Sequence, residues 1–329
     1  MSTKPKVLVA VQQMADREAP YLRPLEEAGL EVVRNRRGRP LTESELIDAL
    51  PGVFATLAGG EAYTARVFEH AKRLRVVARF GVGYDRIDIS AATRHGVAIA
   101  MAFGANHESV ADYTLALMLA LAVDLVRHHE QVKRGEWITA FHPGFWGKTV
   151  GIVGLGRIGK AVVRRCRGFE MSVLAYDPEP DLAFARAHAV RVAPLETVLR
   201  EADFVSLHLP LTPETAGFLN RERLSLMKPT AFLINTARGA VVDEDALYDA
   251  LVKGRLAGAG LDAFAKEPPS GSPLLGLHQV VVGPHAGGSD EAAEVAMASR
   301  CVDSILAILR GEEPGPGLVL NPEVFAQHV

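Results

Sequence analysis

The stretch that decides the fold is VGIVGLGRIG, residues 150–159. Its first four residues have the continuous apolar pattern of a strand buried on both faces, and Lys160–Arg167 has a helical pattern. Between them Gly154 permits a tight turn, Gly156 lets the backbone approach a pyrophosphate, and Gly159 allows the helix to pack closely on the strand. The start of that helix offers unpaired N–H groups and a partial positive charge to phosphates. The stretch therefore predicts a Rossmann-type turn that binds a dinucleotide.

A carboxylate after the next predicted strand indicates which dinucleotide is bound. Asp177 follows Gly154 at close to the spacing of about 20 residues at which such a carboxylate binds the ribose hydroxyls. An aspartate there repels a 2′-phosphate, and Pro178 and Glu179 supply no cation that could bind one. The pattern favours NAD over NADP. The alternative is a structural turn followed by an ordinary aspartate at a strand end.

On both sides of this stretch, short β-rich runs alternate with longer helical patterns, which is typical of βαβ units around a parallel sheet. A long helical pattern at about Glu108–Arg134 separates two series of predicted strands. These are Lys6–Val11, Glu31–Arg34, Val53–Leu57, Arg75–Arg79 and Val97–Ala100, then Thr149–Val153, Ser172–Tyr176, Phe204–Leu207, Ala231–Asn235, Gly258–Leu261 and Val280–Val282. A helical pattern at Glu291–Leu309 follows the last strand. We expect it to cross back to the first domain, which makes that domain discontinuous.

Composition excludes several classes of protein. The 329 residues are 48% hydrophobic and 23% charged, which fits two packed domains. A net charge of −3 gives no reason to expect nucleic acid or an anionic membrane surface as a partner. No stretch approaches the ~20 apolar residues of a membrane span, no His, Cys, Asp and Glu set has metal-ligand spacing, and Cys166 and Cys301 form no disulfide framework. We expect a soluble, cytoplasmic protein without a metal.

Three polar side chains, Arg238, Glu267 and His285, each come a few residues after a predicted strand, where parallel-sheet enzymes bind their ligands. Taken singly, they are typical of a solvated cation, a loop carboxylate and a hydrogen-bonded loop histidine. Together, behind a dinucleotide-binding turn, they match hydride transfer between an alcohol and NAD. A histidine can exchange the hydroxyl proton near neutral pH, and a carboxylate on its other nitrogen fixes the tautomer and favours the imidazolium. A guanidinium can hold a substrate carboxylate through two parallel hydrogen bonds.

With the glycine-rich stretch, six further segments carry a resemblance to the D-isomer-specific 2-hydroxyacid dehydrogenase family over nearly the whole chain. They are ARFGVGYD (78–85), ESVAD (108–112), LHLPLTPET (207–215), NTARGAVVDE (235–244), LDAFAKEP (261–268) and GPHAGG (283–288). The resemblance implies an α/β protein of two doubly wound parallel-sheet domains. A Rossmann NAD-binding domain, residues 102–287, is inserted into a flavodoxin-like substrate-binding domain made of residues 1–101 and 288–329. It also implies a homodimer.

The resemblance also assigns roles to particular residues. It makes Arg238, Glu267 and His285 the catalytic set, with His285 the proton donor and acceptor and Glu267 its partner. The N–H groups of Val82 and Gly83 receive the substrate carboxylate beside Arg238. Around the cofactor it places Val110, Gly154, Gly156, Arg157, Ile158, Gly159, Asp177, Leu209, Pro210, Thr236, Ala237, Arg238, Asp262, His285 and Gly288, with Asp262 approaching the nicotinamide amide.

The implied activity is the NAD(H)-dependent interconversion of a small D-2-hydroxy acid and its 2-oxo acid, as in a glyoxylate/hydroxypyruvate reductase. The loop LAGGE, residues 57–61, carries a carboxylate where phosphate-binding relatives place a cation, which favours an unphosphorylated acid. One alternative is a 3-phosphoglycerate dehydrogenase without a regulatory domain. The other is an NAD-sensing binding protein, because the family includes corepressors that keep the catalytic residues. The chain departs from the family pattern at Gly283, where threonine is commoner, and at Arg86, where asparagine is commoner; neither removes a catalytic group.

Overall fold

The computed structural model describes residues 4–326, which form two compact α/β units. Unit 1 contains the chain up to Asn106 and from Asp290 onward, and unit 2 contains His107–Ser289. The named strands of both sheets pair in parallel throughout. Parallel sheets are covered by helices on both faces, which explains why so many of the strands are continuous apolar runs.

The elements within the described residues alternate as the sequence pattern predicts. The strands are β1 Lys6–Val9, β2 Glu31–Arg34, β3 Val53–Ala58, β4 Val76–Arg79, β5 Ala98–Met101, β6 Thr149–Val153, β7 Ser172–Tyr176, β8 Val190–Val192, β9 Phe204–Leu207, β10 Phe232–Asn235, β11 Gly258–Leu261 and β12 Val280–Val282. The α-helices are α1 Arg23–Glu27, α2 Glu43–Ala49, α3 Ala65–His70, α4 Ile89–Arg94, α5 His107–Ala122, α6 Leu125–Lys133, α7 Arg157–Gly168, α8 Leu182–Ala187, α9 Leu195–Glu201, α10 Arg221–Leu224, α11 Glu244–Val252 and α12 Glu291–Leu309.

Unit 1 is built on a five-stranded sheet in the order β2-β1-β3-β4-β5. This is the flavodoxin-like order, in which the chain reverses direction beside the first strand. The helix α12 packs on one face of this sheet, and its buried Met297, Cys301 and Ile305 share one apolar cluster with Val76 and Ala78 of β4. The last long helix of the chain therefore belongs to the core of unit 1.

Unit 2 is built on a seven-stranded sheet in the order β12-β11-β10-β9-β6-β7-β8. The strand β6 lies between β7 and β9, so the direction of winding reverses there, as in the Rossmann fold. Ligands bind at the carboxyl ends of the strands around such a switch point. The predicted fold class, a Rossmann unit and a flavodoxin-like unit, is confirmed.

The prediction of one continuous helix over residues 108–134 is wrong. The chain breaks between α5 and α6, whose axes are inclined by 62°, because Asp124 adopts a left-handed conformation with φ 52°. The helix α5 buries Leu115, Met118 and Leu121 in unit 2, whereas α6 buries none of its residues. Within residues 4–326 no single helix has the length and apolar composition to cross a membrane, and only the bent pair α5 and α6 meets these criteria when taken together.

Candidate active site

The turn after β6 requires glycine at two positions. Gly154 has φ 100°, and a Cβ atom there would lie 2.5 Å from the carbonyl oxygen of His208. A Cβ atom on Gly159 would lie 2.1 Å from the carbonyl oxygen of Gly154, so the first turn of α7 packs directly against the glycine loop. Nothing lies within 4 Å of the corresponding position at Gly156, the residue that precedes α7. The helix start is thus open to a phosphate group.

Replacing Gly159 by alanine should lower the free energy of unfolding by about 1–3 kcal/mol, because the new methyl group overlaps backbone atoms that cannot move aside. The matched control is Gly168→Ala at the other end of α7, where nothing lies within 4 Å of the new Cβ atom. Urea unfolding of both variants checks the difference. Equal stabilities would contradict the close packing of helix and loop.

Asp177 follows β7 and stands beside the glycine loop. Its Oδ2 accepts a hydrogen bond from the Leu155 N–H at 2.7 Å, and its Oδ1 accepts one from the Glu179 N–H at 2.9 Å. Each carboxylate oxygen can accept a further hydrogen bond from a ribose hydroxyl. Three features together fit a dinucleotide: the glycine loop, which has no room for a side chain at Gly154, the open start of α7, and this carboxylate.

His285 and Glu267 form a hydrogen-bonded pair. The His285 Nδ1 and the Glu267 Oε1 are 2.8 Å apart, and this oxygen also accepts the N–H of Phe264 at 3.1 Å. Burial alone would raise the pKa of Glu267, but the hydrogen bond from His285, its positive charge, the Phe264 N–H and the charge of Arg238 lower it on balance. Glu267 is therefore a carboxylate near neutral pH. When Nδ1 donates to it, Nε2 is the ring nitrogen available for proton exchange.

The loop that carries His285 is held by Asp262. His285 has φ 59°, a left-handed conformation that residues other than glycine adopt rarely. The Asp262 carboxylate, almost fully buried after β11, accepts the N–H of Ala286 at 3.0 Å and that of Gly287 at 2.8 Å. Burial raises the pKa of Asp262 even though these two N–H groups act in the opposite direction. The Ser109 Oγ donates to the carbonyl oxygen of Gly287 at 2.8 Å and fixes the far end of the loop.

Arg238 projects from the turn after β10. The buried Asn235 holds this turn, because its side chain donates to the Arg238 carbonyl oxygen at 2.9 Å and accepts the Ala237 N–H at 3.0 Å. A Cβ atom on Gly239 would overlap the backbone of Phe264 at 1.8 Å. The turn thus packs against the segment whose N–H binds Glu267. This packing brings Arg238 and Glu267 of the predicted catalytic set to the same edge of the sheet as His285.

The other predicted cofactor residues follow the carboxyl ends of the strands of unit 2 or lie on the helices beside them. The Thr236 Oγ1 shares a hydrogen bond of 2.9 Å with the Thr114 Oγ1 of α5. The remaining positions are Val110 on α5, Arg157 and Ile158 in the first turn of α7, Leu209 and Pro210 after β9, Ala237 after β10, and Gly288 after the His285 loop. Their contacts with the cofactor stay predictions.

Val82 and Gly83 lie in unit 1, in the turn after β4. The Arg79 Nε donates to the Gly83 carbonyl oxygen at 3.0 Å, and its Nη1 donates to the carbonyl oxygen of Phe80. Gly81, with φ 140°, lies against this guanidinium. Among residues 4–326 no protein acceptor takes a hydrogen bond from the N–H of Val82 or Gly83. The Arg79 guanidinium thus binds the carbonyl groups of this turn and leaves its N–H groups unpaired. Unpaired N–H groups in a turn can bind an anion.

Sequence reasoning missed several residues that support this site. Ser109 and Tyr113 of α5 contact the His285 loop, Thr114 contacts Thr236, and Arg79 holds the turn with Val82. The spacing of four residues between Ser109 and Tyr113 places them on one face of a helix. This spacing was the sequence signal that both side chains contact the same part of the structure. Within the part of the chain that the structure describes, His, Cys, Asp and Glu side chains form no group that could hold a metal ion.

The chain is similar to several known proteins. Residues 115–287 match the family described as D-isomer specific 2-hydroxyacid dehydrogenase, NAD binding domain. A glyoxylate reductase of Korarchaeum cryptofilum is 46% identical over 267 residues, 79% of this chain and 80% of its own length. A D-3-phosphoglycerate dehydrogenase of Methanocaldococcus jannaschii is 41% identical over 276 residues, but the match spans 83% of this chain and only 53% of that protein. The structure of a D-lactate dehydrogenase from Aquifex aeolicus, complexed with NAD and lactic acid, is 27% identical with a TM-score of 0.85, covering 96% of this chain and 99% of that chain.

The Rossmann unit with its glycine loop and these relatives define an oxidoreductase that binds a nicotinamide cofactor. More particularly, the chain belongs to the D-isomer-specific 2-hydroxyacid dehydrogenase family. The family assignment made from the sequence motifs is confirmed.

Proposed function

We propose that the protein reduces small, unphosphorylated 2-oxo acids, glyoxylate and hydroxypyruvate, to 2-hydroxy acids, and catalyses the reverse oxidation. The observation that carries the chemistry is the pair of His285 and Glu267, 2.8 Å apart at the carboxyl edge of the sheet that holds the glycine loop. The similarity to a glyoxylate reductase, 46% identical over 79% of this chain, supports the substrate class. The residues of the loop 57–61 supply no cation for a phosphate, and its Glu61 is almost fully buried.

The proton of the reaction moves through His285. When bound, the nicotinamide supplies a hydride to C2 of the oxo acid or accepts it from the hydroxy acid. In reduction, protonated His285 gives its Nε2 proton to the oxygen on C2 as negative charge develops there, and in oxidation neutral His285 takes that proton back. The Glu267 carboxylate stabilises the imidazolium in both directions and keeps the ring oriented.

The substrate is held by its carboxylate in this proposal. The unpaired N–H groups of Val82 and Gly83 support a role in binding that carboxylate. The Arg238 guanidinium also binds the substrate in this proposal, since it can donate two parallel hydrogen bonds to a carboxylate and polarise the neighbouring carbonyl group.

Consumption of NADH by the purified protein tests the proposal on glyoxylate, hydroxypyruvate, pyruvate, phenylpyruvate and 3-phosphohydroxypyruvate. We expect turnover of glyoxylate and hydroxypyruvate, with the phosphorylated acid the poorest substrate. Preference for 3-phosphohydroxypyruvate would favour the phosphoglycerate dehydrogenase alternative, which the 41% identity to such an enzyme supports. Tight binding of NADH without turnover of any acid would favour the NAD-sensing alternative.

We propose NAD rather than NADP as the natural cofactor. Asp177 stands beside the glycine loop, where its charge repels a 2′-phosphate. Replacing Asp177 by asparagine keeps an acceptor for the backbone N–H groups and removes the charge, so we expect the ratio of kcat/KM for NADH over NADPH to fall by about tenfold, which is 1.4 kcal/mol. The exposed Asp245 on α11 provides the control, Asp245→Asn, which should leave the ratio unchanged. A wild-type preference for NADPH would contradict the proposal.

We propose that the protein forms a homodimer through α6 and the segment after it. The large apolar side chains Trp137, Phe141 and Trp146 are 85%, 108% and 72% exposed, and α6 buries none of its residues. Several large apolar side chains exposed within ten residues of sequence favour a protein interface at this segment. The family resemblance favours a second copy of the chain as the partner.

Replacing Trp137 and Phe141 together by serine should therefore convert the dimer into a monomer, measured by light scattering after gel filtration. The control is Leu182→Ser, which removes an apolar side chain that is 53% exposed on another helix. A wild-type protein that is monomeric at micromolar concentration would overturn the proposed homodimer.

We also propose that the protein works in the cytoplasm. Its two cysteines, Cys166 and Cys301, are both free and buried. Free thiols are usual in a reducing compartment.

A further inference from the structure

Tyr113 of α5 lies along the loop that carries His285. A Cβ atom on Gly287 would be 3.6 Å from the Tyr113 Cβ and 3.7 Å from its Cδ1, whereas a Cβ atom on Gly283 would be 2.2 Å from the Tyr113 hydroxyl oxygen. The side chain thus runs from Gly287 at one end of the loop to Gly283 at the other. Sequence reasoning gave Tyr113 no role.

The Tyr113 hydroxyl meets the carboxylate that holds this loop. The Asp262 Oδ1 lies 2.4 Å from the same Cβ position at Gly283, next to the hydroxyl. Burial raises the pKa of Tyr113, and the charge of Asp262 and a hydrogen bond with it act in the same direction. The phenol therefore keeps its proton near neutral pH and faces a carboxylate that already accepts the N–H groups of Ala286 and Gly287.

Gly283 and Tyr113 are matched to each other. Any side chain at position 283 would collide with both the Tyr113 hydroxyl and the Asp262 carboxylate. The Asp262 carboxylate cannot easily move aside, because two backbone N–H groups hold it. The absence of the commoner threonine from GPHAGG therefore has a structural cause: the tyrosine hydroxyl occupies the space that a threonine side chain needs.

We propose that Tyr113 is a positioning residue for catalysis, which through Asp262 holds His285 in its left-handed conformation. This inference rests on the proposed function in one respect, that His285 is the proton donor. Tyr113 acts on the loop and not on the substrate, so its loss lowers kcat and leaves KM for the oxo acid and the Kd of NADH unchanged.

The first test is Tyr113→Phe, which removes one oxygen atom. We expect kcat for glyoxylate to fall about three- to tenfold with KM unchanged, in line with the loss of one hydrogen bond. The control is Tyr248→Phe on α11, which removes a hydroxyl from a tyrosine packed on another apolar cluster of unit 2 and should leave kcat unchanged. An unchanged kcat in Tyr113→Phe, or a change in KM alone, would overturn the inference.

The second test asks whether the two positions are coupled. Gly283→Ser should lower kcat at least tenfold in the wild-type background, because its side chain collides with Tyr113. In the Tyr113→Ala background the collision with the phenol is removed and only the collision with Asp262 remains, so Gly283→Ser should lower kcat by a smaller factor there than in the wild type. Additive losses would contradict the matched pair.

A third measurement does not depend on turnover. Hydrogen exchange of the peptide that spans residues 283–288 should be faster in Tyr113→Phe than in the wild type and in Tyr248→Phe, because the N–H groups of Ala286 and Gly287 are bound to Asp262. Unchanged exchange would overturn the inference even if no oxo acid is a substrate. Faster exchange in a protein without turnover would retain the structural role of Tyr113 and reject the proposed function.

Discussion

Replacing His285 by asparagine should lower kcat for oxo acid reduction by a factor of about 10² to 10⁴, the range that general acid catalysis contributes. The substitution removes the ring to which we assign the transfer of a proton to the oxygen on C2, while Glu267 and Asp262 stay in place. Asparagine suits the position because it tolerates the left-handed conformation that His285 adopts at φ 59°. The loop should therefore keep its shape, and the Kd of NADH should change little.

Steady-state rates of NADH consumption and a fluorescence titration of NADH separate these two effects. The control is His278→Asn, which makes the same exchange at an exposed histidine in the loop before β12 and should retain full activity. A His285→Asn protein that retains a tenth or more of the wild-type kcat would contradict the assigned role. Loss of NADH binding together with activity would indicate a damaged fold and would call for His285→Gln as a second variant.

Replacing Arg238 by lysine should lower kcat/KM for glyoxylate by about 10²-fold, because lysine keeps the charge and loses the two parallel hydrogen bonds of the guanidinium. The turn at Arg238 is fixed by Asn235 and by the contact of Gly239 with Phe264, so the shorter ammonium group cannot be compensated by backbone movement. We expect an increase in KM for the oxo acid as well as a lower kcat, and little change in KM for NADH.

The matched control for this prediction is Arg200→Lys, at an exposed arginine in α9 that takes no part in the site. It should leave both constants for glyoxylate at their wild-type values. Equal activity of Arg238→Lys and the wild type would show that a simple positive charge is sufficient at position 238. In that case the substrate carboxylate would have to be bound mainly elsewhere.

Much of the fold can be predicted from local patterns in the sequence. The run Val150–Val153 followed by three spaced glycines predicts both the strand and its turn, and the structure gives the reason, since side chains at Gly154 and Gly159 would overlap backbone oxygens. The eleven predicted strands are all present among residues 4–326, although β1 ends at Val9 and not at Val11. The short strand β8 was missed because an arginine interrupts its sequence VRV, whereas the equally short β12 is the continuous apolar run VVV.

Other features depend on contacts that no local pattern reveals. The break at Asp124 depends on one left-handed residue within a sequence that is helical on both sides, and its propensity gives only a weak signal. The hold of Asp262 on the His285 loop and the contacts of Tyr113 with Gly283 and Gly287 arise from residues distant in sequence that pack together. The pairing of His285 with Glu267, by contrast, could be anticipated, because both residues follow neighbouring strands at the same edge of a parallel sheet.

The most direct test of the central claim is the chirality of the product formed from hydroxypyruvate and NADH. The account predicts that NADH is consumed in step with the formation of glycerate, that the product is the D isomer alone, and that His285→Asn forms it at least about a hundred times more slowly. Formation of the L isomer, or no consumption of NADH by a protein that binds it, would contradict the account.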